Sequence, residues 1–123
     1  MRRRVLVVED EADLAETCQR LLRRLGYEIT CAGSSREGIA LIEHEAPGLV
    51  ISDLRLPDGS GIDVVTAARR TPRPVPVIVV TGFPSTASRR AALDAGAAAY
   101  LAKPFSASAL TSLVQDVFGA GSR

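Results

Sequence analysis

Val5-Leu6-Val7-Val8-Glu9-Asp10-Glu11 puts four consecutive apolar residues directly before three acids. An apolar run with no alternation is the pattern of a strand buried on both faces, as in a parallel sheet covered by helices. Leu49-Val50-Ile51 and the segment Val75 to Val80, around Pro76, read the same way. Tyr27-Glu28-Ile29-Thr30-Cys31 alternates instead, which predicts a half-exposed edge strand. Ala97 to Leu101 is a weaker fifth strand.

Segments of helical period separate the strands. Leu14, Cys18, Leu21, Leu22 and Leu25 share one stripe, with Gly26 as the stop. Ser34 with Glu37 makes a capping box before a helix that buries Gly38, Leu41 and Ile42. Ser60 opens a third helix bearing Ile62, Val65 and Ala68; Ser106 opens the last, with Leu110, Leu113, Val114 and Val117 in register. The fourth, from Pro84 to Ala95, has mostly alanine on its apolar face and is expected to pack least firmly.

Strand and helix alternating five times predicts a (βα)5 α/β fold: a doubly wound parallel sheet with right-handed crossovers and helices on both faces. Placing the continuous apolar strands inside and the alternating one at an edge gives the order 2-1-3-4-5. Its switch point lies between strands 1 and 3, and ligands bind outside the carboxyl ends of the strands there.

The chain has 123 residues, enough for one domain over 1–123, with Gly119 to Arg123 resembling the start of a linker. Fifteen basic and fourteen acidic residues leave a net charge of +1, so direct attraction to nucleic acid or anionic lipid is not expected. The apolar run after Arg2-Arg3-Arg4 is too short for a secretory signal, and no stretch has the length of a membrane span. A cytoplasmic location follows as an expectation, with Cys18 and Cys31 as reduced thiols.

Strand 1 runs into Glu9-Asp10, strand 3 into Asp53, strand 4 into Thr81 and strand 5 into Lys103, so all of these open onto one crevice. Carboxylates about 5 Å apart repel by roughly 3 kcal/mol per pair at an effective dielectric of 20. Either one is protonated or a cation sits among them, and hard oxygen ligands suit Mg2+. A dinucleotide is excluded, because Glu9-Asp10-Glu11-Ala12-Asp13 has no glycines and would repel a bare phosphate. Lys103 is the single lysine beside fourteen arginines, which points to a site needing a compact point charge.

Four motifs now support a resemblance: Val5 to Glu11, Val50-Ile51-Ser52-Asp53-Leu54-Arg55-Leu56-Pro57-Asp58-Gly59-Ser60-Gly61, Val79-Val80-Thr81-Gly82 and Tyr100-Leu101-Ala102-Lys103-Pro104-Phe105. Together they resemble the receiver domains of two-component response regulators, the chemotaxis-regulator-like phosphoacceptor domains of bacteria, across essentially the whole chain. The resemblance implies the flavodoxin-like form of the predicted fold. It implies that Asp53 accepts a phosphoryl group from a sensor histidine kinase or phosphotransfer protein. It further implies that Glu9, Asp10, Asp53 and the backbone carbonyl of Arg55 hold Mg2+, that Lys103 pairs with the phosphate, and that Thr81 and Tyr100 switch. The switch would alter the surface of the fourth helix, fifth strand and fifth helix, read by an output domain, a downstream protein or a second copy. Such a domain is a signalling phosphoacceptor, not an enzyme acting on other substrates. A cis peptide at Lys103–Pro104 is also implied.

Two features depart from the usual pattern. Glu9 is one methylene longer than the aspartate more usual in the family, and Arg55 either leans over the phosphoryl group or points into solvent. Two other functions compete: a receiver-like interaction module that is never phosphorylated, and an aspartyl-phosphate hydrolase of the haloacid-dehalogenase kind. The latter wants a second Asp two residues after its nucleophile, where Ala12 and Arg55 stand instead. His44 reads as an exposed residue favoured by a helix C-terminus, and Arg23-Arg24, Arg69-Arg70 and Arg89-Arg90 as solvated helix faces. Phe83 and Phe105 are expected to pack beside the site.

Overall fold

Five strands, β1 (Arg4–Val8), β2 (Glu28–Ala32), β3 (Leu49–Asp53), β4 (Val77–Thr81) and β5 (Ala99–Ala102), pair in parallel in the order β2-β1-β3-β4-β5. They alternate with α1 (Ala12–Arg24), α2 (Ser35–Glu45), α3 (Gly61–Arg69), α4 (Thr86–Ala95) and α5 (Ala107–Gly121). The computed structural model describes residues 3–121.

The unbroken apolar runs divide by parity between two cores. Leu6 and Val8, Val50, and Val77 and Val79 face α2, α3 and α4, where they meet Ile42, Val64, Val65 and Ala92. Val5 and Val7, Leu49 and Ile51, and Ile78 and Val80 face α1 and α5, where they meet Cys18, Leu22, Leu110 and Val114. Both faces of the three central strands are therefore covered, which is why no polar alternation was needed there.

The element ends differ from the sequence expectation in instructive ways. Val75 and Pro76 precede β4: the Val75 N–H donates to Ala68, and Pro76 has no N–H for the ladder, although its carbonyl accepts from Val50. The Tyr27 N–H closes the end of α1 by donating to the Leu22 carbonyl, so β2 begins at Glu28. Leu25 leaves the apolar stripe and is exposed, because the chain turns there toward Gly26 at φ +90°. Ala97 closes α4 by donating to the Ala92 carbonyl, which delays β5 to Ala99. α4 begins at Thr86 under a Ser85 cap, two residues later than Pro84. Within it only Ala92 is buried, as the alanine-rich face led us to expect.

Ser34 caps Glu37 N as predicted, but the Glu37 carboxylate takes the N–H of Gly33, leaving the box half made. The complete capping box is at α3, between Ser60 and Asp63. α5 continues through Gly121, so residues 119–121 of the expected linker start belong to the helix; 122–123 lie outside the described residues. A short hairpin, Arg55–Leu56 against Gly59–Ser60, joins β3 to α3 and was too short to show any period. Among the described residues no helix is long and apolar enough to cross a membrane.

Candidate functional site

The carboxyl end of β1 delivers Glu9, whose N–H still donates to Ala32 in β2, so its side chain is fixed by the sheet. The side chain is buried: one oxygen, Oε2, accepts from the Glu11 N–H at 3.1 Å, and Oε1 accepts from Lys103 Nζ at 2.8 Å. Asp53, the last residue of β3, is also buried, with 7% of its surface exposed. Its Oδ1 accepts from the Arg55 N–H at 3.0 Å and its Oδ2 from Lys103 Nζ at 2.7 Å. Asp10 is exposed at the rim, and one oxygen from each of Glu9, Asp10 and Asp53 lies within 4.8 Å of the others.

Two buried carboxylates, Glu9 and Asp53, thus share one ammonium, with Asp10 beside them at the rim. Burial pushes the Glu9 carboxyl above its ordinary pKa, against the opposing pull of the Lys103 bond, and the Asp53 charge adds to the rise. Burial by itself would lower the Lys103 pKa. The bonds to Asp53 and Glu9 outweigh it and hold the ammonium above its ordinary value. Lys103 is therefore charged, and the negative charge it leaves uncompensated is what a hard divalent cation requires. The lengthened Glu9 side chain is accommodated by reaching Lys103 across the pocket.

Lys103 is aimed by the turn after β5. Its N–H donates to the Thr81 carbonyl at 2.7 Å, and the Lys103–Pro104 peptide is cis. Thr81 is fully buried at the end of β4, with Oγ1 accepting from the Phe83 N–H at 3.0 Å. Tyr100 pairs with Val79 and Ala102 with Thr81, so Tyr100 and Thr81 lie on the same face of neighbouring strands, the face covered by α4. The half-buried Tyr100 ring points its hydroxyl at the start of α4. There it accepts from the Ser85 N–H at 3.3 Å and lies 2.6 Å from Ser88 Oγ.

Arg55 is exposed, as the solvent alternative has it, and it rests on another exposed side chain. Its guanidinium carbon sits 4.3 Å from the centroid of the Phe83 ring, a cation–π contact. Phe83 does not pack into the core, being 66% exposed, whereas Phe105 is part-buried against the α1–α5 core. His44 is exposed in the last turn of α2, and the three arginine pairs are exposed on their helices, as expected. Both cysteines are free; burial pushes the Cys18 thiol up to about 11.

Three residues with contacts around the site were missed by sequence reasoning. Asp58, in the hairpin turn, accepts from the Ser35 and Arg36 N–H groups of α2. Ser85 and Ser88 receive Tyr100. Pro57-Asp58-Gly59 is a turn signal that would have placed Asp58 on a hairpin tip, but not against α2. An apolar groove lined by Ile39, Ile42, Pro47, Pro72, Pro74 and Val75 lies apart from the acidic pocket and shares no residue with it.

Comparison with known proteins agrees with this geometry. The sequence pattern described as the response regulator receiver domain matches residues 5–115. Transcriptional regulatory protein PdtaR of Mycobacterium tuberculosis is 41% identical over 114 residues, which are 92% of this chain and 55% of that protein. Response regulator MprA of Mycolicibacterium vanbaalenii is 38% identical over 102 residues, 83% of this chain and 44% of that protein. The chain thus spans about half the length of the curated relatives it matches. Among solved structures, the CheY-like response regulator receiver domain protein of Methanospirillum hungatei superposes with a TM-score of 0.90 at 31% identity, covering 94% of this chain and 93% of that one. The beryllofluoride-activated NtrC4 receiver domain dimer gives 0.89 at 29% identity, covering 95% and 97%. With that domain match over most of its length and relatives at 38–41% identity, the chain belongs to the family of two-component response-regulator receiver domains.

Proposed function

We propose that Asp53 is the phosphoacceptor of this receiver domain, taking its phosphoryl group from the phosphohistidine of a sensor kinase or phosphotransfer protein. One carboxylate oxygen attacks phosphorus in line, the P–N bond breaks, and the electron pair returns to the imidazole. The product is an acyl phosphate on Asp53. Family members are signalling phosphoacceptors, and this reading assigns the chain no other catalysis.

The observation that carries the reading is the Lys103 ammonium held between Glu9 and Asp53 in a pocket at the carboxyl ends of the strands. Phosphoryl transfer leaves charge on the equatorial oxygens and needs cations already in place. Lys103, released from Asp53 Oδ2 when that carboxylate is phosphorylated, pairs with a phosphoryl oxygen. Thr81, whose Oγ1 now serves as an acceptor, has a hydroxyl hydrogen to donate to another. Receiver domains bind Mg2+ at an acidic pocket, and the hard oxygen donors here fit it. Glu9, Asp10 and Asp53 with the Arg55 carbonyl would hold the ion, which when bound neutralises charge on the phosphoryl oxygens.

Drawing Thr81 toward the phosphoryl group breaks its bond with the Phe83 N–H and vacates space on the α4 face. Tyr100, on that face, moves to fill it, altering the surface of α4, β5 and α5 for an output domain, a downstream protein or a second copy. α4 has little packing to resist the shift. The reading places the domain in the cytoplasm, the usual location of response regulators. Intact mass after incubation with acetyl phosphate and Mg2+ tests it: one phosphate per chain is expected, and none on Asp53→Ala. A product unchanged in that variant would overturn the assignment.

A further inference from the structure

Asp58 is exposed and touches none of the pocket carboxylates, yet its own carboxylate binds across the molecule. Oδ1 accepts from the Ser35 N–H at 2.8 Å and Oδ2 from the Arg36 N–H at 3.0 Å. These are the first two N–H groups of α2, which has no partners for them within the helix; the third, of Glu37, goes to Ser34 Oγ at 3.1 Å. Both hydrogen bonds are charge-assisted through the Asp58 carboxylate and lie where the helix dipole favours an anion.

The residue supplying this anion sits in the turn of the hairpin that leads away from Asp53. Each arm of that hairpin is two residues long, with Arg55 opposite Ser60 and Leu56 opposite Gly59. A two-stranded ribbon of that size does not hold itself in water. Its first residue after Leu54 is Arg55, whose N–H donates to Asp53 Oδ1. The position of the Arg55 backbone therefore depends on what anchors the hairpin, and the two Asp58 bonds are an anchor at its far end. Gly59 also lies against α2, where a Cβ on it would stand 3.6 Å from Ser35 Cβ.

We propose that Asp58 is a positioning residue of the acidic pocket: by clamping the hairpin turn to the N-terminus of α2, it fixes the Arg55 backbone beside Asp53. The part of this that concerns metal rests on the reading above, in which the Arg55 carbonyl is a Mg2+ ligand. Outer-sphere partners of metal ligands commonly change affinity by about ten-fold or more when removed.

The test compares wild type, Asp58→Ala, Asp58→Asn and Ser34→Ala. Ser34→Ala strips a cap from the same helix without touching the hairpin, and so separates loss of helix capping from loss of the clamp. Two quantities are read by NMR: exchange of the Arg55 amide in the metal-free chain, and the apparent affinity for Mg2+ alone. Asp58→Ala is expected to speed Arg55 exchange and weaken Mg2+ binding about ten-fold. Asp58→Asn, which keeps one acceptor oxygen, falls between, and Ser34→Ala lowers thermal stability with both readouts near wild type. The proposal is overturned if Arg55 exchange in Asp58→Ala is that of wild type, if Ser34→Ala shows the same changes, or if Mg2+ affinity is unaltered in a chain whose wild type binds it. Should wild type bind no Mg2+, the metal reading fails by itself, and Arg55 exchange still decides the clamp.

Discussion

The Tyr100 hydroxyl and Ser88 Oγ lie 2.6 Å apart, joining the edge strand β5 to a helix that buries only one residue. Ser88 is in turn bound to the cap of that helix, its Oγ 3.0 Å from Ser85 Oγ and its N–H donating to the same oxygen. The tyrosine hydroxyl is thus held by the N-terminal turn of α4, so the ring tip and the turn move together.

Ser88→Ala removes the shorter of the two bonds to the Tyr100 hydroxyl and leaves the one from Ser85 N. A loss of about 1 kcal/mol in stability is expected, the usual net worth of such a bond. The Tyr100 ring resonances should shift toward those of the beryllofluoride-treated wild type, because the contact that holds the hydroxyl at α4 is gone. Unshifted Tyr100 resonances in the variant would show that Ser88 does not restrain the ring.

Lys103→Ala leaves Glu9 and Asp53 buried without their shared cation. In Mg2+-free buffer the expected cost is about 2–3 kcal/mol, since a buried charge loses its partner. Added Mg2+ is expected to recover part of it by supplying positive charge among the three carboxylates. Denaturation of both proteins with and without Mg2+ measures this. An equal deficit in the two buffers would deny that a cation fits there.

Gly61 opens α3 directly behind Asp53, and a Cβ on it would collide with the Asp53 carbonyl oxygen. Backbone cannot move aside as a side chain does, so Gly61→Ala is expected to destabilise by about 1–3 kcal/mol. At Gly82, which follows Thr81, a Cβ would meet nothing within 4 Å, and φ is not positive. Gly82→Ala is expected to be neutral or slightly stabilising. Thermal melts of the two variants should therefore separate clearly; equal melting points would contradict the packing described.

The N–H groups of Arg36 and Ser35 hold the Asp58 carboxyl below its ordinary value of 3.8. A group whose folded pKa is depressed contributes stability above its unfolded pKa and loses it as pH falls through the folded value. The stability difference between wild type and Asp58→Asn is therefore expected to be flat from neutral pH down to about pH 5 and to shrink below 3.8. Melting curves across that range decide it. A difference that already fades near neutrality would mean that the carboxylate charge is not what holds α2.

Much of this protein was written in local pattern. Val5 to Val8, Leu49 to Ile51 and the run before Thr81 are apolar on both faces, which implied helices on both sides, and with the alternating second strand placed at an edge they led to the 2-1-3-4-5 order. Ser34 and Ser60 marked helix starts because a hydroxyl there satisfies N–H groups that every helix leaves open. Glu9, Asp10, Asp53 and Lys103 were legible as one site because each ends a strand, and parallel strands end together. What only the tertiary structure decided are contacts between exposed or half-exposed residues on different connections: Asp58 with α2, Tyr100 with Ser88, Arg55 with Phe83. Periodicity says which way a residue faces relative to the core, but a residue facing outward has no local rule choosing its partner. Its partner is set by where two loops come to lie, and that placement follows from packing the whole sheet.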